Sequence, residues 1–381
     1  MTIAGLSPEY LLWLAGFVVV SWVGARSWQR MTMPLFGAIW LALAQPLAFA
    51  AIATVTLLAY AGKRLPAMRA ATACAVAVLA LIGLAYRAIQ LHPELIDFSD
   101  LRVIGLAFAI LKAIHYVLDG RNHRLPAHGF LDTLGYMFFF PTLMVGPILR
   151  FGDYHRETKL RRRDWANLSL GMERILIGCF KVYVLAGYLI ATRLTDLTAA
   201  TVPAGTSLAV YLGCLKYGLH LYFSFAGYCD VAIGAGLMVG MRVAENFRHP
   251  FLAASIIEFW NRWHITLSRW CRDYIFLPVA ARFRRPAFAV ICAMLILGIW
   301  HELSARYALW GLYHAFGIVT AQAWRRWRAP FASVLQVIPR RLRRLAGWAV
   351  TFNFVIVGFL ITSTSTPADA WHALLVLVGI R

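Results

Sequence analysis

Acidic side chains are scarce in this chain. Its 381 residues carry 17 Asp+Glu against 37 Lys+Arg, and all charged types together reach only 14%, well below the roughly 25% of a soluble globular domain. That scarcity excludes an ordinary water-facing surface. Cysteine is sparse and unpatterned. Cys74, Cys179, Cys214, Cys229, Cys271 and Cys292 show no CxxC spacing, which excludes a sequence-encoded zinc or dithiol motif and leaves them as small buried apolar residues. Histidine boxes are missing too. The 11 histidines contain no HxxH or HxxxH pair, and His220, His249, His264, His301 and His314 lie too far apart in sequence to read as a metal centre of the di-iron kind. No metal ligand is assigned. A secretory leader is not evident: the first apolar run follows Glu9 and has no basic segment before it or small-residue cleavage site after it, so it reads as a retained helix.

What the chain has is apolar sequence. Hydrophobic residues make up 61% and the mean hydropathy is +0.66, which places the protein in a bilayer, where only helices or closed barrels satisfy the backbone. Apolar runs fall near 8–24, 34–62, 70–90, 101–118, 130–149, 168–191, 206–225, 227–241, 287–300, 304–323, 346–362 and 369–380. The expected fold is all-α, a polytopic integral membrane protein with roughly 11 to 12 helices in one domain, 1–381. Run 34–62 has Arg26 and Arg30 before it, Lys63, Arg64 and Arg69 after it, and Pro46 midway. A broken or re-entrant pair, folded as a hairpin, would return both basic clusters to one face.

The net charge of +20 suits nucleic acid, an anionic substrate or anionic lipid, and position decides between them. Lys159, Arg161, Arg162 and Arg163, then Arg325, Arg326 and Arg328, then Arg340, Arg341, Arg343 and Arg344 fall between apolar runs. That is the pattern of cytoplasmic loops facing anionic membrane lipids. Nucleic acid is not an expected partner.

One stretch breaks the rule. Residues 251–280 mix Glu258, Asn261, Arg262, His264, Arg269, Arg272 and Asp273 with Trp260, Trp263 and Trp270. Charged chain at membrane depth survives only against protein or a water-filled cavity, so this stretch is expected to be re-entrant or in-plane. Downstream, His301 lies in the apolar run AVICAMLILGIWHELSARYALWGLYHAFGI, where an ionisable group is costly and is usually kept for a task.

At these residues the chain resembles a known family, the membrane-bound O-acyltransferases, in particular the bacterial branch that acetylates exopolysaccharides or D-alanylates teichoic acids. FFFPTLMVGPILRFGDY at 138–154, FAGYCDVAIG at 225–234, NFRHPF, FWNRWHITLSRWCRDYIFLP and GIWHELSARYALWGLYHA at 298–315 follow its motifs in order, over about residues 105 to 318. Ala226 and Cys229 stand where the branch has serines, Ala280 and Ala281 replace glycines, and Glu302 replaces the glycine after the histidine.

The resemblance implies helices around a central polar tunnel, in a multi-pass protein of the bacterial cytoplasmic (inner) membrane. It implies a cytoplasmic thioester donor, acyl-CoA or an acyl carrier protein, with no permanently bound cofactor. It also implies a polysaccharide or cell-envelope acceptor and an extracytoplasmic relay or esterase-like partner. Acetyl is the first expectation for the acyl group and D-alanyl the second.

The chemistry agrees with that reading. Acyl transfer to a hydroxyl needs a base near neutrality, which an imidazole with pKa near ~6.5 supplies. His301 is the expected general base. His264 or Asn261 would donate to the oxyanion, or His264 would orient the acceptor. Arg262, Arg269 and Arg272 would meet donor phosphates, with Trp263 and Trp300 lining the substrate path. Gly146, Pro147, Arg150, Tyr228, Asp230, Asn246 and Asp273 read as structural members of the motifs, and His314 as a packing histidine. A bland reading of His264 is structural hydrogen bonding beside Arg262 and Asp273. The rival from another class is a transporter or flippase with a binding site in place of a reaction centre. No similarity between the two halves supports it.

Overall fold

The computed structural model describes residues 6–23, 26–64, 69–91, 105–327 and 337–380, and among them there is no strand. Gly24, residues 101–104 and Arg328, which belong to runs and clusters named above, lie outside the described residues. The helices are α1 Pro8–Val23, α2 Arg26–Ala44, α3 Pro46–Arg64, α4 Arg69–Leu91, α5 Leu106–Arg121, α6 Phe130–Met137, α7 Phe151–Leu160 and α8 Trp165–Cys179. The last continues through a wider-turned π stretch, Phe180–Leu194, into α9 Thr195–Thr201. Then come α10 Ser207–Met238, α11 Ile256–Trp260, α12 Ile265–Cys271, α13 Leu277–Phe283, α14 Pro286–His301, α15 Ala305–Trp327, α16 Arg340–Ser363 and α17 Pro367–Leu377.

Four described helical runs are long and apolar enough to cross a bilayer: Pro46–Lys63, Trp165–Thr201, Ser207–Met238 and Arg340–Ser363. Pro8–Val23, Met31–Ala44, Thr72–Tyr86 and Pro286–His301 are shorter apolar helices. Large apolar side chains such as Leu12, Leu176, Leu189 and Val350 point outward, as a lipid solvent allows.

Three expectations need correction. The run 34–62 is broken at Pro46, but it does not fold back on itself. Only Gln45 separates α2 from α3, and its N–H reaches the Leu41 carbonyl at 2.8 Å while its own carbonyl accepts from Phe49 N at 3.0 Å. The ladder therefore runs through the break, and proline bends the rod without reversing it. The runs 206–225 and 227–241 are one helix, α10. The run 130–149 is not a span at all. Helix α6 stops at Met137, a single 3-10 turn follows at Phe140–Thr142, and the chain is then non-helical to Arg150. Pro141, Pro147 and the left-handed Gly146, with φ 155°, end any helix there. The stretch 251–280 is a chain of short helices, α11 to α13, with a π stretch at Arg272–Phe276.

Two compact units result, Met1–Phe180 with Gly227–Glu245, and Lys181–Ala226 with Asn246–Arg381. In the first, buried Lys112 of α5 donates to the Tyr136 and Met137 carbonyls at 2.6 and 3.3 Å, satisfying acceptors that the end of α6 leaves over. His115, one turn along α5, takes the Phe151 N–H at 3.3 Å. Its Nε2 also lies 3.1 Å from the Tyr136 hydroxyl, which donates to the Leu149 carbonyl at 2.9 Å. Polar side chains of a single helix thus fasten both ends of the Gly146–Pro147 loop. Helix α8 meets residues 227–238 of α10 through paired glycines. A Cβ on Gly178 would stand 2.6 Å from the Gly227 carbonyl oxygen, and one on Gly234 would stand 2.5 Å from that of Gly171, so only hydrogen fits. Arg174 on α8 pairs with Asp230 and Glu245, each at 2.7 Å.

In the second unit, α14 and α15 form a tight antiparallel hairpin joined by residues 302–304. A Cβ on Gly298 would fall on the Tyr307 carbonyl oxygen, and one on Gly311 would stand 2.5 Å from that of Met294. Backbone cannot step aside as a side chain can. Gly298→Ala is expected to force the helices apart at a cost of about 1–3 kcal/mol, lowering the thermal midpoint of the detergent-purified protein and displacing His301 in the next turn. Gly213→Ala, where nothing lies within 4 Å, is the control and should be neutral or mildly stabilising. Equal midpoints for the two variants would show that the hairpin tolerates the extra methyl.

Candidate active site

The site lies in the second unit and is organised by an asparagine. Asn246 is wholly buried. Its backbone carbonyl accepts Ile265 N at 2.9 Å. Its side-chain Oδ1 accepts Thr266 N at 3.1 Å, Thr266 Oγ1 at 2.9 Å and His264 Nδ1 at 3.2 Å. The residue before α12 is a histidine and makes no side-chain cap, so Asn246 performs the capping from 18 positions upstream, taking the first-turn donors.

This arrangement fixes the chemistry of His264. A backbone N–H can only donate, so the atom receiving Thr266 N is the amide oxygen, and His264 Nδ1 must carry the hydrogen that points at it. In the neutral ring Nε2 then presents a lone pair. That atom is buried and has no hydrogen-bond partner among the described residues, although His264 is only 2% exposed. Its backbone is left-handed, with φ 43° and ψ 53°, a conformation costing a non-glycine residue about 1–3 kcal/mol and typical of functional positions.

Rings close around it. The Phe225 centroid lies 4.7 Å from that of His264, Trp300 at 6.3 Å and His301 at 6.4 Å. His301 ends α14, half-buried, with Trp300 at 4.8 Å, Trp310 at 5.8 Å and Tyr307 at 6.0 Å. Just beyond it, Glu302 pairs with Arg306 at 2.6 Å and Arg306 also donates to the Thr364 carbonyl, which pins the linker. Next to His301, Trp310 is 4.8 Å from His314 and 5.9 Å from Trp260, centroid to centroid. Trp260 Nε1, Trp310 Nε1 and His314 Nδ1 are buried without hydrogen-bond partners among the described residues. Buried polar atoms are normally satisfied, so these orphaned atoms near the imidazoles are where a polar guest would find partners.

The other sequence candidates are distributed as follows. Trp300 lies beside both histidines, 6.3 Å from His264 and 4.8 Å from His301, and Trp263 packs on Phe259 at 5.5 Å. Asn261 is exposed at the end of α11, and its side chain makes no hydrogen bond among the described residues, so nothing brings it to the imidazoles. Arg262 is held by Glu258 at 2.5 Å, and Arg272 by Asp273 at 2.8 Å. Arg269 is exposed. Gly146, Pro147, Arg150, Tyr228 and Asp230 belong to the first unit, Arg150 as the residue preceding α7 and Asp230 as the partner of Arg174. No group of three or more metal-ligating side chains occurs among the described residues. Sequence reasoning missed Trp260 and Trp310 as polar donors, because an indole in an apolar run carries no sign that its N–H is unsatisfied.

Residues 118–364 match the profile of the membrane-bound O-acyltransferase family, MBOAT. The chain belongs to that family. It is 34% identical over 274 residues to the "Probable alginate O-acetylase AlgI" of Pseudomonas aeruginosa, covering 71% of this chain and 50% of the relative. It is 30% identical over 295 residues to the teichoic acid D-alanyltransferase of Bacillus subtilis, covering 71% and 70%. Against the peptidoglycan O-acetyltransferase of Helicobacter pylori it is 29% identical over 258 residues, covering 66% and 47%. This MBOAT chain thus spans about half the length of the alginate relatives it matches. The family is membrane-embedded and helical, as the described residues are.

Proposed function

We propose that the protein transfers an acyl group from a thioester to a hydroxyl within the bilayer. The acceptor oxygen attacks the thioester carbonyl, its proton passes to His301, and the carbon–sulfur bond breaks as that proton is handed on to the leaving sulfur, which departs as a thiol. The observation that carries this reading is the pair of imidazoles with centroids 6.4 Å apart, one of which presents an unpartnered buried Nε2. At that separation each ring is within reach of an acceptor sugar, with a hydroxyl oxygen at about 2.8 Å from its ring nitrogen. A neutral His264 accepts at Nε2 and does not donate there, so it is not the oxyanion donor; it orients the acceptor by taking a hydrogen bond from a neighbouring hydroxyl, which leaves the hydrogen of the reacting hydroxyl to His301. The oxyanion role passes to the indole N–H groups of Trp310 and Trp260.

The donor is acyl-CoA or an acylated carrier protein, reached from the cytoplasmic side of a bacterial inner membrane, and no resident cofactor is involved. Acetyl is the first choice of acyl group, because the relatives named as acetylating alginate and peptidoglycan outweigh the D-alanyl case. The acceptor is a cell-envelope polysaccharide, reached directly or through an extracytoplasmic relay protein. The test presents radiolabelled acetyl and D-alanyl thioesters to the purified full chain, with alginate, peptidoglycan and teichoic acid fragments as acceptors. Label transferred to a hydroxyl supports the reading, and the preferred thioester assigns the group. Binding of a fragment without any transfer of label would favour the flippase.

A further inference from the structure

At the end of the α14–α15 hairpin farthest from His301, a cavity of about 430 Å³ is lined by Arg284, Arg285, Pro286, Phe288, Val319 and Arg326, among others. Helix α14 has 16 residues, so this cavity lies roughly 24 Å along the helix from the imidazole. We propose that it is a binding site for the headgroup of an anionic phospholipid, with the phosphate on the arginines and the upper acyl chain on the apolar wall.

The lining holds three guanidinium groups and no carboxylate. None of the three has a hydrogen bond or ion pair through its side chain among the described residues, and all are exposed. By contrast, Arg174, Arg262, Arg272 and Arg306 are each matched to an acid. Arg284 occupies a left-handed position, φ 53°, closing α13, where glycine is the usual residue. Keeping a strained arginine there leaves its charge beside Arg285 and the first turn of α14, whose N–H groups favour anions. Apart from Gln322 the remaining wall, Pro286, Ala287, Phe288, Val319 and Ala323, is apolar, which suits a hydrocarbon chain and not a free phosphate. Trp324 and Trp327, 51% and 62% exposed in the adjoining turns of α15, mark headgroup depth. Basic pockets between helices at that depth are how lipid headgroups are held.

Native mass spectrometry of the full chain tests this, in detergent holding equal amounts of phosphatidylglycerol and phosphatidylcholine. The expected result is retention of phosphatidylglycerol over phosphatidylcholine by on the order of tenfold or more. In Arg284→Gln/Arg285→Gln/Arg326→Gln that preference should collapse, and in the exposed control Arg193→Gln/Arg242→Gln it should persist. Should the triple variant fail to fold, Arg326→Gln alone, on the exposed last turn of α15, is expected to lose about fivefold. Equal retention of both lipids by the wild type, or unchanged preference in the variants, would overturn the proposal. So would displacement of the bound lipid by coenzyme A but not by short-chain phosphatidylglycerol, which would make this a donor-phosphate site.

Discussion

Replacing His301 by alanine is expected to lower acyl transfer by about 10²- to 10⁴-fold, the usual worth of a positioned base, while the protein still inserts and purifies. The ring belongs to the last residue of α14. It ends α14 with the linker behind it pinned independently by Glu302–Arg306 and the Thr364 carbonyl, so its removal leaves the hairpin fastened. Labelled-thioester turnover, run alongside size-exclusion behaviour and thermal midpoint, separates the possibilities. A variant that retains transfer removes the base assignment, and one that aggregates while His301→Gln stays folded and active would show that the ring only packs. A transporter would keep ligand binding in either variant.

Asn246→Leu is expected to be nearly as damaging for a different reason. It strands the Thr266 N–H, the Thr266 hydroxyl and the His264 Nδ1–H, all of which converge on one oxygen. A buried donor left without an acceptor costs about 1–3 kcal/mol, so the start of α12 loosens and transfer falls with it. Asparagine here is a positioning residue, and a spectroscopic readout tells positioning from bulk stability. In wild type, nitrogen NMR of labelled histidine should report the Nδ1–H form for His264. In Asn246→Leu the Nε2–H form should appear even at temperatures where the protein remains folded. Asn246→Asp keeps the acceptor and should retain the wild-type tautomer and much of the activity. A variant that loses activity with its tautomer unchanged would exclude the clamp as the cause.

Much of this architecture was legible in the sequence, and the illegible part has a common cause. The all-helical membrane class followed from hydropathy, and the interruption at Pro46 and the broken stretch around His264 followed from proline and misplaced charge. Each is a local signal. The hairpin expected at Pro46 failed because proline removes only its own donor, and the bonds from Gln45 and Phe49 carry the helix past it. The helix expected over 130–149 failed because its end depends on Lys112 and its following loop on His115, contacts that hydropathy does not encode. The resemblance named both histidines. It did not reveal that Asn246 dictates which nitrogen of His264 holds the hydrogen, since that fact exists only once residues 18 apart are brought together. Arg262 adds a further contact, its pairing with Glu258 one turn away.

The span between Asn246 and His264 also has a consequence for biogenesis. The clamp leaves the ribosome before the imidazole it holds, and closing so short a loop costs little entropy, so this corner can lock while the polypeptide is still being threaded into the bilayer. His301 is made only after α12 and α13, and it meets a partner whose hydrogen is already assigned. Nascent chains stalled after α13 should therefore carry an oriented but idle ring, which waits for α14 to bring His301.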